Sequence, residues 1–202
     1  MNTATKRLIR WGVTTIVAVT GAMVASFEGD YKFAYPDPAS PMARALQRDG
    51  LWQRTLEGKP VPDKYQSLSG APWTACSGKT RGVKQGDKFT DKQCLDFLTE
   101  EIVIHHGVMR SCVKAPLALH EEAAMTSLFY WAGGQACDWE ITKSINRGDP
   151  PEVFCNMLPR YNKGSGHVLP GLITRRDMER ELCLGRGMWL VPPNTLISFV
   201  VD

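Results

Sequence analysis

Residues 11–27 carry no charge, and Glu28 follows them at once. Seventeen residues is the short end of what spans a bilayer as an α-helix, and longer than a usual secretory core. The segment is weakly hydrophobic for its length. It holds three Ala, two Gly, three Thr and one Ser, and no Leu. Small and hydroxyl residues add little transfer energy, so such a helix inserts but holds poorly. Lys6, Arg7 and Arg10 precede it and keep the N-terminus inside, which puts residue 28 onward outside. Three fates are open: cleavage near Val24 and Ser26, permanent anchorage, or insertion followed by departure from the membrane. The composition favours the third.

The rest of the chain is exported on this reading, and its cysteines agree. All six (Cys76, Cys94, Cys112, Cys137, Cys155 and Cys183) lie downstream of the apolar segment. An even number outside the cytoplasm reads as disulfides, with 15 pairings open. Sequential pairing, Cys76–Cys94, Cys112–Cys137 and Cys155–Cys183, closes three local loops and is the pairing expected. Zinc is the rival use of cysteine, but no C-x-x-C occurs. His105 and His106 are adjacent, so on a helix they diverge by about 100° and chelate poorly. They are read as solvated or capping residues. No metal or other cofactor is expected. The 24 basic and 21 acidic residues leave +3, and that surplus sits in the first ten residues. Residues 28–202 are neutral overall, which argues against a nucleic-acid partner. A monomer is expected.

Helical spacing recurs after residue 90. Thr90 to Gln93 reads as a capping box, opening a helix over about 90–106 that stops near Gly107. An amphipathic helix follows Pro116 and runs to Gly133. Further helices are expected over about 139–145, 151–158 and 174–184, with a Gly-rich loop over 160–172. Residues 28–89 lack helical periodicity apart from about 41–55, and hold short strands and loops. The predicted class is α+β, a mostly helical lobe and a small β-containing lobe with a cleft between them, behind the N-terminal helix.

Glu28 and Asp37 stand nine positions apart, in Phe27-Glu28-Gly29 and Tyr35-Pro36-Asp37-Pro38-Ala39. Two carboxylates flanking a bond can serve as general acid and general base in glycoside hydrolysis. Gly70-Ala71-Pro72-Trp73-Thr74 and Gly78-Lys79-Thr80-Arg81-Gly82-Val83 continue the pattern. So do Ala124 to Ser127, Leu169 to Leu172, Arg175-Arg176 and Glu179-Arg180. Together these resemble the phage-type lysozymes of glycoside hydrolase family 24. The resemblance is closest to those with a signal-arrest-release segment, and it covers about 27–39 and 70–185.

The resemblance implies a lysozyme-like fold and a muramidase, a glycoside hydrolase acting on peptidoglycan during host lysis. Glu28 would protonate the glycosidic oxygen between N-acetylmuramic acid and N-acetylglucosamine, its pKa raised by an apolar setting beside Phe27. Asp37 would be the base that orients the attacking water, and the Thr74 hydroxyl would help hold it. Gly78 and Gly82 would shape tight turns. Arg175 and Arg176 are read as structural, tying the last helix to the core.

The family has only a few residues between the Asp and the Trp-Thr pair, whereas here about 40–69 intervene. This insertion is read as a loop or subdomain on the small lobe. A second alignment would start at Tyr65 and put Asp63 or Ser67 at the Asp position, but Asp37 keeps the spacing from Glu28. The apolar tail 187–202 is read as a strand-like piece packed on the domain. The domains are thus 1–27, a signal-arrest-release segment, and 28–202, the catalytic domain. Residues 11–27 and the host secretion machinery would place the protein at the inner membrane facing the periplasm, for later release into it. Two alternatives remain at this stage: a lytic transglycosylase using Glu28 alone, and an inactive tethered wall-binding protein.

Overall fold

The computed structural model describes residues 3–27, 31–164, 167–186, 189–191 and 195–197, with side chains over 15–27, 31–164 and 167–186. The chain divides into two compact units. The larger comprises Met1–Phe27 and Glu100–Asp202, and the smaller Glu28–Thr99.

The larger unit is helical. Its first helix, α1 (Thr3–Phe27), packs along the central helix α5 (Leu119–Ala132). Ile16, Val19, Met23 and Val24 are buried along it, at the i, i+3, i+4 steps of one helical face. The small and hydroxyl residues that make this segment a poor span suit it to close packing. Buried Thr20 donates from its hydroxyl to the Ala123 carbonyl at 3.2 Å, satisfying itself without water. A Cβ at Gly21 would come to 3.4 Å of Ile102 Cδ1. Among the described residues no helix is long and apolar enough to cross a membrane.

Helix α5 is not amphipathic as its sequence suggests. Glu121, every residue from Ala123 to Phe129, and Ala132 are buried, so it is enclosed on nearly every side. Met125, Leu128 and Phe129 join Met109, Ile141, Ile145, Leu158 and Leu182 in one core. Helix α4 (Asp91–Cys112) opens on the expected capping box. The Gln93 N–H donates to Thr90 Oγ1 at 3.2 Å, and the Thr90 N–H donates to Gln93 Oε1 at 2.8 Å. It does not stop at Gly107 but runs on to Cys112, because Met109 and Val113 are pulled into the core. That burial outweighs the roughly 1 kcal/mol that a mid-helix glycine costs. After α6 (Glu140–Arg147) and α7 (Pro151–Cys155), a short hairpin pairs β3 (Lys163–Gly164) with β4 (His167–Val168). The last helix, α8 (Pro170–Cys183), begins four residues before the expected Thr174, with Pro170 as its first residue. In the tail, β5 (Trp189–Val191) pairs antiparallel with β6 (Thr195–Ile197). The rest of 187–202, and its packing, lie outside the described residues.

The smaller unit is built on an antiparallel pair, β1 (Tyr31–Pro36) and β2 (Trp73–Cys76). A disulfide joins Cys76 to Cys94 within its core, beside Ala34, Ala75 and Val83. Residues 40–69 are no loose loop. Ser40 caps α2 (Pro41–Arg48) by accepting from the Ala43 N–H at 3.1 Å, and α3 (Trp52–Leu56) follows. Met42, Ala45, Leu46 and Tyr65 give the insertion a core of its own. The other two disulfides, Cys112–Cys137 and Cys155–Cys183, lie in the helical unit.

Neither adjacent histidine is free in solvent. His106 Nε2 lies 2.7 Å from Glu122 Oε1, and the Arg110 Nε donates to the same oxygen at 2.6 Å. His106 and Arg110 are one turn apart on α4, so they reach one carboxylate together. Desolvation pushes the Glu122 carboxyl up, but the hydrogen bonds and charges of His106 and Arg110 outweigh it and hold it at about 2. Its folded value thus lies below its ordinary value of 4.5. This contribution to stability is present above pH 4.5 and is lost as the pH falls towards 2. Glu122→Gln is therefore expected to flatten the acid limb of the stability curve. Urea midpoints at pH 6 and pH 2.5 check this: the gap between wild type and variant should close at the lower pH. His105 sits against the Tyr130 ring, with centroids 5.4 Å apart, and its burial pushes its pKa down.

Candidate active site

The chain around Asp37 is fixed from both sides. Strand β1 ends at Pro36, and the Asp37 N–H donates to the carbonyls of Gly70 and Pro72, each at 3.0 Å. The Asp37 carbonyl accepts from the Ser40 N–H at 2.8 Å, and Asp37 Oδ1 accepts from the Ala39 N–H at 2.7 Å. This is an Asx-type turn, which locks the carboxylate by its own backbone. The second oxygen, Oδ2, has no protein partner among the described residues, and the side chain is half-buried.

Thr74 lies across from Tyr35 in the register of β1 and β2, and Trp73 across from Pro36. Side chains opposite one another in an antiparallel pair share a face. Thr74 is 7% exposed, and its hydroxyl makes no hydrogen bond among the described residues. Asp37 and Thr74, 37 positions apart in the sequence, thus stand at the same end of one two-stranded sheet. The insertion leaves and re-enters beside them, between Asp37 and Gly70. Gly78 and Gly82 take φ of 85° and 76°, in the turns that follow β2. Asp63 and Ser67 are both exposed on the insertion, and neither lies on this sheet.

Glu28 lies outside the described residues. Its neighbour Phe27 ends α1, with the Arg175 guanidinium 5.6 Å from its ring centroid. Arg175 and Arg176 are buried on α8 and share the carboxylate of Glu179. Arg176 also lies over the Trp131 ring, at 5.2 Å from its centroid. They brace the helical core, in keeping with a structural reading. Among the described residues no group of His, Cys, Asp and Glu could hold a metal ion.

Two features escaped the sequence. One is the ion cluster of His106, Arg110 and Glu122, whose signal was the one-turn spacing of the first two. The other is a pocket of about 300 Å³ in the smaller unit, between β1, β2 and the insertion. No local pattern marks it.

Residues 55–179 match the model of the family described as phage lysozyme. The match includes Thr74 and begins after Glu28 and Asp37. A signal-arrest-release endolysin of Pseudomonas phage phiKMV is 34% identical over 133 residues, covering 64% of this chain and 81% of that protein. One from Enterobacteria phage P21 is 30% identical over 122 residues, covering 59% and 73%. Among solved structures, the active form of the phage P1 endolysin superposes with a TM-score of 0.62 at 23% identity, over 86% of this chain and 92% of that one. This last likeness concerns the fold, which is lysozyme-like. The family match over more than half of the sequence fixes kinship: the chain belongs to the phage lysozyme family.

Proposed function

We propose that the protein is a phage endolysin acting as a muramidase. It hydrolyses the β-1,4 bond between N-acetylmuramic acid and N-acetylglucosamine in peptidoglycan. Glu28 donates a proton to the glycosidic oxygen as the bond breaks. Asp37 takes a proton from the attacking water, whose oxygen bonds to the anomeric carbon, and the Thr74 hydroxyl holds that water. One observation carries the reading: at the same sheet end stand a carboxylate oxygen of Asp37 and the hydroxyl of Thr74, each without a partner among the described residues. Two groups that each lack a protein partner and stand together suit a bound water.

The test is mass spectrometry of fragments released from purified peptidoglycan by the full chain. Wild type is expected to leave reducing muramic-acid ends. Glu28→Gln and Asp37→Asn are each expected to lose about a hundred- to ten-thousand-fold in rate, the usual worth of a general acid or base. Anhydro ends would make the enzyme a transglycosylase. Undiminished activity in Asp37→Asn would move the base elsewhere, and no release at all would favour a wall-binding protein.

The N-terminal segment extends this reading. We infer that α1 passes through the host inner membrane by the secretion route and is later released into the periplasm. The packing of α1 on α5 supports the second state, since the buried Thr20 and the close-packed Gly21 fit a protein core better than lipid. With α1 in lipid, Glu28 is held at the membrane face and that packing is lost. Protein held in inner-membrane vesicles is therefore expected to digest peptidoglycan more slowly than the same protein after release. Equal rates would refute the inference.

A further inference from the structure

The insertion does more than lengthen the smaller unit: it roofs the pocket of about 300 Å³. Phe33 of β1 and Trp73 of β2 line it from the sheet, and Lys59, Val61 and Gln66 from the insertion. Gln85 closes one wall and donates from its side-chain amide to Gln66 Oε1 at 3.0 Å. Gly58 sits so tightly on the Phe33 ring that a Cβ there would come within 2.3 Å of it. This contact holds the roof to the sheet.

The lining suits a peptide better than a sugar. The Lys59 side chain has no carboxylate partner among the described residues. The one carboxylate in the lining, Asp87, accepts from the Lys84 N–H at 2.8 Å through Oδ2 and keeps its charge. A pyranose offers mainly hydroxyl donors, which carboxylate acceptors would meet. Here the lining carries one ammonium, Lys59, and one carboxylate, Asp87, which meet the carboxylates and the amine of a peptide. The paired Gln amides suit peptide groups, and the apolar surface of Phe33, Val61 and Trp73 suits small aliphatic side chains. The position agrees. Phe33 lies four residues before Asp37 on β1, about 13 Å of extended strand. A side branch of three or four residues spans that distance.

We propose that this pocket seats the acidic peptide stem that branches from the muramic acid of the glycan, with Lys59 taking a stem carboxylate. This rests on the peptidoglycan reading above. The insertion then selects cross-linkable, peptide-bearing glycan over bare glycan.

The test compares kcat and KM of the full-length wild type and Lys59→Glu on intact peptidoglycan and on the same glycan stripped of its stems by an amidase. Lys59 is exposed, so the variant should fold. KM is expected to rise about tenfold on the intact substrate, as for loss of one charge-assisted contact, with kcat little changed and no effect on stripped glycan. An equal effect on both substrates, or none on either, overturns the proposal. A second experiment separates it from the reading on which it rests. Asp37→Asn is titrated with a synthetic alanyl-γ-glutamyl-diaminopimelate tripeptide while the side-chain amide resonances of Gln66 and Gln85 are followed by NMR. Shifts that vanish in the Asp37→Asn/Lys59→Glu double variant uphold the pocket, even if glycan cleavage proves to follow another chemistry. Absence of shifts in Asp37→Asn overturns it.

Discussion

Glu179→Ala is expected to destabilise the protein by about 3–5 kcal/mol, the cost of removing one partner from a buried ion pair. Glu179 is 0% exposed, as is Arg176, and Arg175 is nearly so. Burial pushes the Glu179 carboxyl up, against the pull of Arg176 and Arg175, and burial lowers the Arg176 guanidinium to about 10. Every bond to the carboxylate goes to one oxygen. Ser127 Oγ donates to Oε1 at 2.6 Å, Arg176 Nη2 at 2.8 Å and Arg175 Nε at 3.2 Å. Among the described residues Oε2 has no hydrogen-bond partner, nor have Arg176 Nε and Nη1. The cluster is therefore incompletely satisfied and carries a net +1, and its value lies in the one anion that offsets two buried cations. Removing Glu179 alone leaves two guanidinium groups in the core without their shared carboxylate, although Arg175 Nη2 still donates to the Ser127 carbonyl at 3.3 Å. Replacing Arg175, Arg176 and Glu179 together with Met should cost much less, because no uncompensated charge remains. Guanidinium denaturation of both variants decides the matter. A triple variant as unstable as the single one would show that the cluster is held by its hydrogen bonds rather than by charge compensation.

Loss of the Cys76–Cys94 disulfide is expected to melt the smaller unit. The bond closes a loop with a sequence separation of 18, worth about 3 kcal/mol in chain entropy. It also supplies two of the five buried residues in that core, beside Ala34, Ala75 and Val83. So small a core depends on its staple. Cys76→Ala/Cys94→Ala should make residues 31–90 quickly cleavable by protease and abolish cell-wall lysis, while α5 and α8 stay resistant. Retained lysis at 37 °C would mean that the aromatic neighbours Trp73, Phe89 and Phe97 suffice.

What the sequence revealed depended on how local the cause was. The capping box at Thr90 and Gln93 acts over three residues, and the start of α4 was readable from it. The C-terminal end of α4 was not, since Gly107 signals a stop and only tertiary burial of Met109 and Val113 overrides it. Helix α8 begins early for a similar reason. Pro170 fits a first helical position, but the Gly-rich run around it read as loop. The amphipathic reading of α5 failed because polar Thr126 and Ser127 are buried with their hydroxyls satisfied, Thr126 by the Glu122 carbonyl and Ser127 by Glu179. At the candidate site, Asp37 and Thr74 were legible as residues of a motif. Their placement at one end of the same sheet, across the insertion, is a matter of strand pairing, which a separation of 37 positions hides. The stem pocket was invisible, because its lining comes from three separated stretches of chain.

The contact between α1 and α5 also sets a clock. Thr20 meets Ala123, 103 residues later. At about 5–20 residues per second, a ribosome needs about 5–20 s to make the second partner after the first. The smaller unit, residues 28–99, is contiguous and can form in that interval, whereas the helical unit, split between 1–27 and 100–202, must wait. For those seconds the nascent α1 has no protein core to enter. On the membrane route proposed above, the choice between membrane and protein is then kinetic first: translation order gives lipid the earlier claim, and the finished helical unit competes for α1 only afterwards.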